Sequence, residues 1–189
     1  MKTYIEEKTF DKENFTKEFL SIGEYDHCSF INCDFSSSDF SISTFYKCKF
    51  EDCNMSLVKL KNTTFNEVHF KNCKLLGLHF EDCNNFLFAA IFDNCILNLS
   101  CFYKMKLKTT KFRNCVLHEV DFTESNFTGS ELDNCDLSKA IFKNTTLEKV
   151  DFRSSFNYSI DPEENKIKKA KFSLNGIAGL LHKYDIEID

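Results

Sequence analysis

The sequence predicts an all-β solenoid, a four-sided β-helix, on three observations. An apolar residue recurs at every fifth position, and most cysteines recur at every twentieth. Turn formers are nearly absent, with one Pro and five Gly in 189 residues. That scarcity excludes a set of tight hairpins, whose turns depend on Gly and Pro. Hydrophobic residues make up 42% of the chain, enough to build a core, and 22 Phe with no Trp supply much of it.

The five-residue unit is the first element. Its apolar centres run Phe10, Phe15, Leu20, Tyr25, Phe30 and onward to Phe80, break at Asn85, and resume from Phe92 to Phe152. Of 29 such slots, 28 hold Phe, Leu, Met or Tyr. Two residues before each centre stands a second inward position, usually small, such as Cys28, Ser38, Thr63, Ala90 or Ser125. The other three positions are mostly polar. A period of five fits neither a helix at 3.6 nor a long strand at 2. It fits a three-residue strand with two side chains turned inward, followed by a corner.

The turn of the coil is the second element. Cys33, Cys53, Cys73, Cys95, Cys115 and Cys135 all sit two before a centre, at spacings of 20, 20, 22, 20 and 20. Twenty residues are four units, so the cross-section has four sides. The single 22 coincides with the break at Asn85, so two extra residues bulge out within Asn84–Ile91. Rungs stacked at strand spacing give about eight coils over residues 8–172 and a rod roughly 35–40 Å long. The whole chain, 1–189, is expected to be a single domain.

The ends are the third element. Lys8, Glu13 and Glu18 occupy small positions, so the first coil is expected to be irregular and to act as a lid. After an irregular stretch at residues 156–165, Ile167 and Phe172 return to the pattern. Residues 173–189 then form a cap. Ser173 or Asn175 is placed to start a short helix, with Ile177, Leu180, Leu181 and Tyr184 at helical spacing. Ile186 and Ile188 alternate as a strand would.

Ten cysteines raise metal and redox chemistry. Nine of them hold small inward positions, where a small buried apolar side chain is needed. Stacked neighbours about 4.8 Å apart are too distant for a relaxed disulfide. Cys101, one residue before a centre, is expected to face outward. None of His27, His69, His79, His118 and His182 falls on an inward position, so all are expected to be exposed. No phosphate-binding glycine loop, nucleophile elbow or zinc-protease motif occurs. The expectation is therefore a chain that is not an enzyme and needs no cofactor and no metal. Without an apolar leader in Met1–Phe10 or a run approaching a membrane span, it is expected to be cytoplasmic with reduced thiols.

The unit resembles that of the pentapeptide repeat family, whose pattern is A(D/N)Lxx. Cys33-Asp34-Phe35-Ser36-Ser37, Ser125-Asn126-Phe127-Thr128-Gly129 and Cys135-Asp136-Leu137-Ser138-Lys139 follow it closely. The resemblance implies a right-handed quadrilateral β-helix. Phe30–Asp52 and the tail Phe172–Asp189 are similar to the opening coils and the C-terminal cap of the quinolone-resistance (Qnr) proteins within that family. That likeness implies a protein that binds DNA gyrase or topoisomerase IV by imitating DNA and modulates quinolone susceptibility. It implies no direct nucleic-acid binding. The alternative is a general protein-interaction scaffold with an unrelated partner. Members with two projecting loops rescue the topoisomerase from drug; this chain has only the two-residue insertion.

Charge placement narrows the mimic. The net charge is −5, but residues 41–118 hold 11 bases against 6 acids, and residues 119–151 hold 8 acids against 3 bases. A basic cluster at Lys104, Lys106, Lys108, Lys111 and Arg113 interrupts any continuous imitation of phosphate. The candidate partner-binding surface is therefore Glu119, Asp121, Glu124, Glu131, Asp133 and Asp136. The cap is expected to pair two copies end to end through Ile177, Leu180, Leu181 and Tyr184. A homodimer so built is roughly 75 Å long and brings the two acidic thirds together.

Overall fold

Each residue of a rung lies above the residue twenty positions earlier. The structure, a computed structural model, describes residues 3–187. On the first side of the coil, Thr9–Asp11, Ser29–Ile31, Lys49–Glu51, Val68–Lys71, Ala90–Asp93, Lys111–Arg113 and Glu131–Asp133 form a seven-stranded parallel sheet. Its register joins Phe10 to Phe30, Phe50, Phe70, Phe92, Phe112 and Leu132. The fourth side begins as a four-stranded parallel sheet of Thr3–Glu6, Gly23–Asp26, Thr44–Tyr46 and Thr64–Asn66. It continues as single bridges through Lys106, Asn126, Thr146 and Lys166. The second and third sides are ladders of such bridges, running from Asn14 to Phe156 and from Asp39 to Ile141. The fold is a parallel β-solenoid of about seven turns rather than eight. Beyond Phe152 the regular repeat gives way to the irregular stretch expected there.

All 28 apolar centres are buried, and so are the nine inward cysteines. Rings stack along a side and meet edge to face around a corner. Phe10 lies 4.8 Å from Phe30 with planes 6° apart, whereas Phe30 meets Phe35 at 5.6 Å and 75°. Aromatic pairs in these geometries contribute about 0.5–1.5 kcal/mol each beyond the burial of their area. The small positions add hydrogen bonds. Most of the cysteines, and several serines and threonines, donate to the carbonyl of a centre one rung earlier. Cys53 Sγ reaches Phe30 O at 3.4 Å, Thr63 Oγ1 reaches Phe40 O at 2.8 Å, and Ser100 Oγ reaches Leu75 O at 2.9 Å. Cysteine, serine and threonine are therefore interchangeable there in packing and in bonding.

The corners solve the turn problem without glycine. The residue two after most centres is left-handed, and 25 described non-glycine residues have positive φ. Asn is the commonest occupant, as its low steric cost in that region predicts. Most corner amides find a carbonyl in the next rung, as Leu57 N does with Leu76 O at 2.9 Å. Even β-branched Ile42 is held at φ 59°.

The insertion lies between the Asn66 and Lys106 rungs of the fourth side. Asn85 Nδ2 donates to Lys104 O at 3.1 Å, and its Oδ1 accepts from Lys106 N at 2.8 Å. Phe88 turns inward and Phe86 is 86% exposed. At the N-terminus the first coil pairs in register with the second through Thr3–Glu6, Thr9–Asp11 and Asn14, but residues 16–22 form no ladder, so its third side is irregular as expected. The Lys8 ammonium lies 4.5 Å from the Phe10 ring centre and covers the open end.

The C-terminal segment is 3-10 helix, Leu174–Leu180 and His182–Tyr184, not the α-helix its apolar spacing suggests. Ser173 is the N-cap, accepting from Gly176 N at 3.1 Å. The reason for the tight form is contact with Tyr158. A Cβ on Gly176 would meet its hydroxyl, and one on Gly179 its carbonyl. Ile160 N also donates to Gly179 O at 2.9 Å. Ile186 is not in a strand, and Ile188 lies outside the described residues.

Cys101, alone among the ten cysteines, is not fully buried; it is half-covered, with the neighbouring rungs at His79 and Asp121 flanking it. Burial pushes its thiol up to about 12, and that of Cys48 to about 12; Cys28, Cys33 and Cys83 are raised for the same reason. Thiolate is the reactive form. Nine of the ten cysteines are closed off in the core, so at pH 8 a thiol reagent should label almost nothing in the native protein, with Cys101 first, and all ten after unfolding. Rapid native labelling of Cys53 or Cys95 would contradict the inward register. Replacing Ile42 by Asn should raise stability by about 1 kcal/mol by relieving left-handed strain. Denaturant titration showing a loss instead would mean that its packing outweighs the strain.

Candidate functional site

The six acidic residues occupy three sides of the rod. Glu131 and Asp133 flank Leu132 on the first side, and Asp136 lies on the second. Glu119 and Glu124 are left-handed corners at φ 57°, after the second and third sides, and Asp121 lies on the third. They form a belt around neighbouring rungs rather than one flat patch. Glu131 and Asp133 line a shallow cleft of about 560 Å³ that Lys149, Asp151 and Arg153 also line, so its charge is mixed.

Two of the six are neutralised by the rung beneath. Glu131 accepts a two-toothed bond from Arg113, Nε at 2.8 Å and Nη2 at 3.1 Å, with Lys111 at 3.7 Å. Arg113 first, and then Lys111, hold the Glu131 carboxyl below its ordinary value. Glu124 lies 3.5 Å from Lys104 and accepts from the Tyr103 hydroxyl at 3.1 Å. The basic cluster is therefore the counter-charge of the acidic third, twenty residues earlier in sequence and one rung away in space. The spacing of twenty is the signal that reveals this pairing.

Asp136 is the most strongly held anion. Burial works against its charge, but donors from His118 Nε2 at 2.9 Å, Ser138 Oγ at 2.7 Å and Asn157 Nδ2 at 2.9 Å outweigh it, and the carboxyl is lowered to about 2. Asp133 accepts from Ser154 Oγ at 2.8 Å, and Asp121 from Thr123 N at 2.8 Å. Glu119 has no side-chain partner among the described residues. Lys106 and Lys108, in the same basic cluster, are turned to the fourth side.

His27, His79 and His182 are exposed, but His69 and His118 are half-buried between rungs, against the expectation for all five. Among the described residues no group of three or more His, Cys, Asp or Glu is arranged to hold a metal ion. No described helix is long and apolar enough to cross a membrane. An unexpected feature is an amide ladder at the corner after the first side. Asn72 Nδ2 donates to Asp52 Oδ1 at 3.0 Å, Asn94 Nδ2 to Asn72 Oδ1 at 2.8 Å, and Asn134 Nδ2 to Asn114 Oδ1 at 2.9 Å.

At the cap, Ile177 is 41% exposed and Tyr184 53%, while Leu181 is half-buried. Leu180 is likewise half-buried and packs against the core of its own coil. Leu174 is 86% exposed beside Ile177 and was not anticipated. Lys183 ties the cap down, 2.9 Å from Asp161 and 2.6 Å from Glu163.

These features define a class: a parallel β-solenoid of five-residue units with a close-packed interior, whose chemistry is carried by outward side chains. A family model described as a pentapeptide repeat region matches residues 24–85 and 86–161, and the chain belongs to the pentapeptide repeat family. No curated protein is matched by the sequence. Among solved structures it is similar to a trypsin-treated variant of QnrB1, described as a plasmid-mediated fluoroquinolone resistance protein, with 18% identity over 99% of this chain and 100% of that one and a TM-score of 0.52. It is also similar to HetL, a pentapeptide repeat protein involved in heterocyst differentiation regulation from the cyanobacterium Nostoc sp. strain PCC 7120, with 15% identity over 92% and 87% and a TM-score of 0.60. At these identities the likeness is one of fold.

The Asp136 carboxyl gives a pH test. Its folded value of about 2 lies below the ordinary ~3.9. The stability it contributes is therefore complete above about pH 4 and lost as pH falls through about 2. Replacing Asp136 by Asn should lower the melting temperature at pH 6 and leave it unchanged at pH 2. A carboxyl resonance titrating near 4 by NMR would show that the His118 and Asn157 bonds are absent.

Proposed function

We propose that the chain is a non-enzymatic, cytoplasmic binding protein that engages a type II topoisomerase, DNA gyrase or topoisomerase IV, as a partial DNA mimic. It would thereby modulate fluoroquinolone susceptibility. The reading rests on the carboxylates of residues 119–136, which ring the outside of a narrow rod within one turn of the coil. Asp136, with its carboxyl at about 2, stays ionised across the physiological range as a phosphodiester does. The fold shared with QnrB1 is consistent with this partner class. Arg113 and Lys104 narrow the mimic to Glu119, Asp121, Asp133 and Asp136. No cofactor or metal is required, and residues 1–189 act as one domain.

The test is supercoiling by gyrase with rising concentrations of the protein, with and without ciprofloxacin. Inhibition should set in at micromolar protein, and the doubly substituted Glu119→Lys, Asp121→Lys protein should need at least about tenfold more. Neither inhibition nor rescue at that concentration would remove the topoisomerase and leave a scaffold for an unrelated partner.

The cap also supports an end-to-end homodimer, through Ile177, Leu180, Leu181 and Tyr184 with Leu174 beside them. A two-fold contact would cover this surplus apolar surface on both copies. Sedimentation in 0.5 M salt should give a dimer for the unmodified protein and a monomer for Leu181→Asp, with the β signal in circular dichroism unchanged. A monomeric unmodified protein at tens of micromolar in that salt would end the cap pairing.

A further inference from the structure

The fourth side differs from the others in how its charges are balanced. On the first and third sides opposite charges neighbour each other on successive rungs, as in Lys71 with Glu51, Arg113 with Glu131 and Lys104 with Glu124. On the fourth side they are segregated to opposite ends. The rungs before the insertion carry Glu6, Glu7, Glu24, Asp26 and Glu67 against one base, Lys47. The rungs after it carry Lys106, Lys108, Lys149, Lys166, Lys168 and Lys169 against one acid, Glu148. Apart from Asp26, which bonds His27 and the Tyr4 hydroxyl, none of these side chains makes an ion pair within the chain among the described residues. Between the two halves the insertion presents Phe86, 86% exposed, and Leu87, 43% exposed.

We infer that this side is a self-association surface, on which a second copy of the chain lies antiparallel about a two-fold axis through the insertion. The rungs make the pattern self-complementary. Four rungs precede the insertion and four follow it, each spanning about 19 Å at strand spacing. A two-fold axis at the centre brings the first fourth-side rung, with Glu6 and Glu7, opposite the last, with Lys166, Lys168 and Lys169. It brings Glu24 opposite Lys149, and Glu67 opposite Lys106 and Lys108. The two copies of Phe86 meet at the axis, where an aromatic anchor carries most of the energy of an interface. The pairing is isologous, so it closes at two copies on this side.

The size of the face sets the strength. About 38 Å of rungs by one three-residue strand, roughly 10 Å, is of the order of 400 Å² per copy. That is below a standard interface, so micromolar affinity and a steep salt dependence are expected. The surface is separate from the cap, and its test does not depend on the topoisomerase reading.

The measurement is mass by sedimentation equilibrium at 50 mM and 500 mM salt. The mass should at least double at low salt, whatever the cap makes of the state at high salt. Phe86→Asp should weaken this step at least about tenfold. Two charge variants decide the geometry. Lys166→Glu with Lys168→Glu, and separately Glu6→Lys with Glu7→Lys, should each abolish the low-salt step, and an equimolar mixture of the two should restore it. Misfolding of either variant cannot produce that restoration. Phe86→Cys should cross-link to its own counterpart under mild oxidation much faster than Ser36→Cys on the second side. An unchanged mass at low salt, a mixture that fails to associate, or equal cross-linking at the two positions would overturn the proposal.

Discussion

The parallel ladder with a repeat of twenty residues is the constraint on which everything else rests. It places each side chain above its counterpart one rung earlier, so any side chain that stacks well on itself can be used repeatedly. Phenylalanine does so at 4.5–5.5 Å, as between Phe80 and Phe102 at 4.5 Å and Phe45 and Phe65 at 5.5 Å. The same stacking sets most of the small-position cysteines within bonding reach of the same carbonyl, that of a centre one rung earlier. The cost is one left-handed corner per unit, about 1–2 kcal/mol where the residue is not glycine. Ladder bonds and burial offset it.

Stacking also governs the charges. A residue and its neighbour at plus twenty are in contact wherever they lie on the surface, so charge is compensated by rung and not by block. That is why Arg113 neutralises Glu131 although eighteen residues separate them. The same rule isolates what remains uncompensated. On the second and third sides these are Glu119, Asp121, Asp133 across the first corner, and Asp136. On the fourth side it is a gradient from acid to base along the whole rod. The first set suits an anion-mimicking contact and the second suits another copy of the chain.

The sequence alone made the core legible almost completely. The centres, the inward cysteines and the place of the insertion follow from two periods, five and twenty, because a solenoid repeats one local solution. Much of the candidate site was legible as composition but not as geometry. Lys104–Arg113 and Glu119–Asp136 read as separate basic and acidic blocks, and only the rungs show that they are partners. Where the repeat lapses, the reading weakens. Tyr158 takes an inward place one residue away from the expected slot and forces Gly176 and Gly179 against it, so the cap winds as 3-10 helix.

Periodicity of apolar and small residues by itself determined the number of sides, the identity of the interior and the reduced state expected of its thiols, since those depend on contacts repeated at every turn. Tertiary structure decided the rest. It set which carboxylates stay free, which corner residues tolerate a left-handed backbone, how far Cys101 and Leu180 are covered, and that Phe86 stands at the middle of a charge gradient. Each of these depends on a single contact between particular rungs, which a repeating pattern averages away.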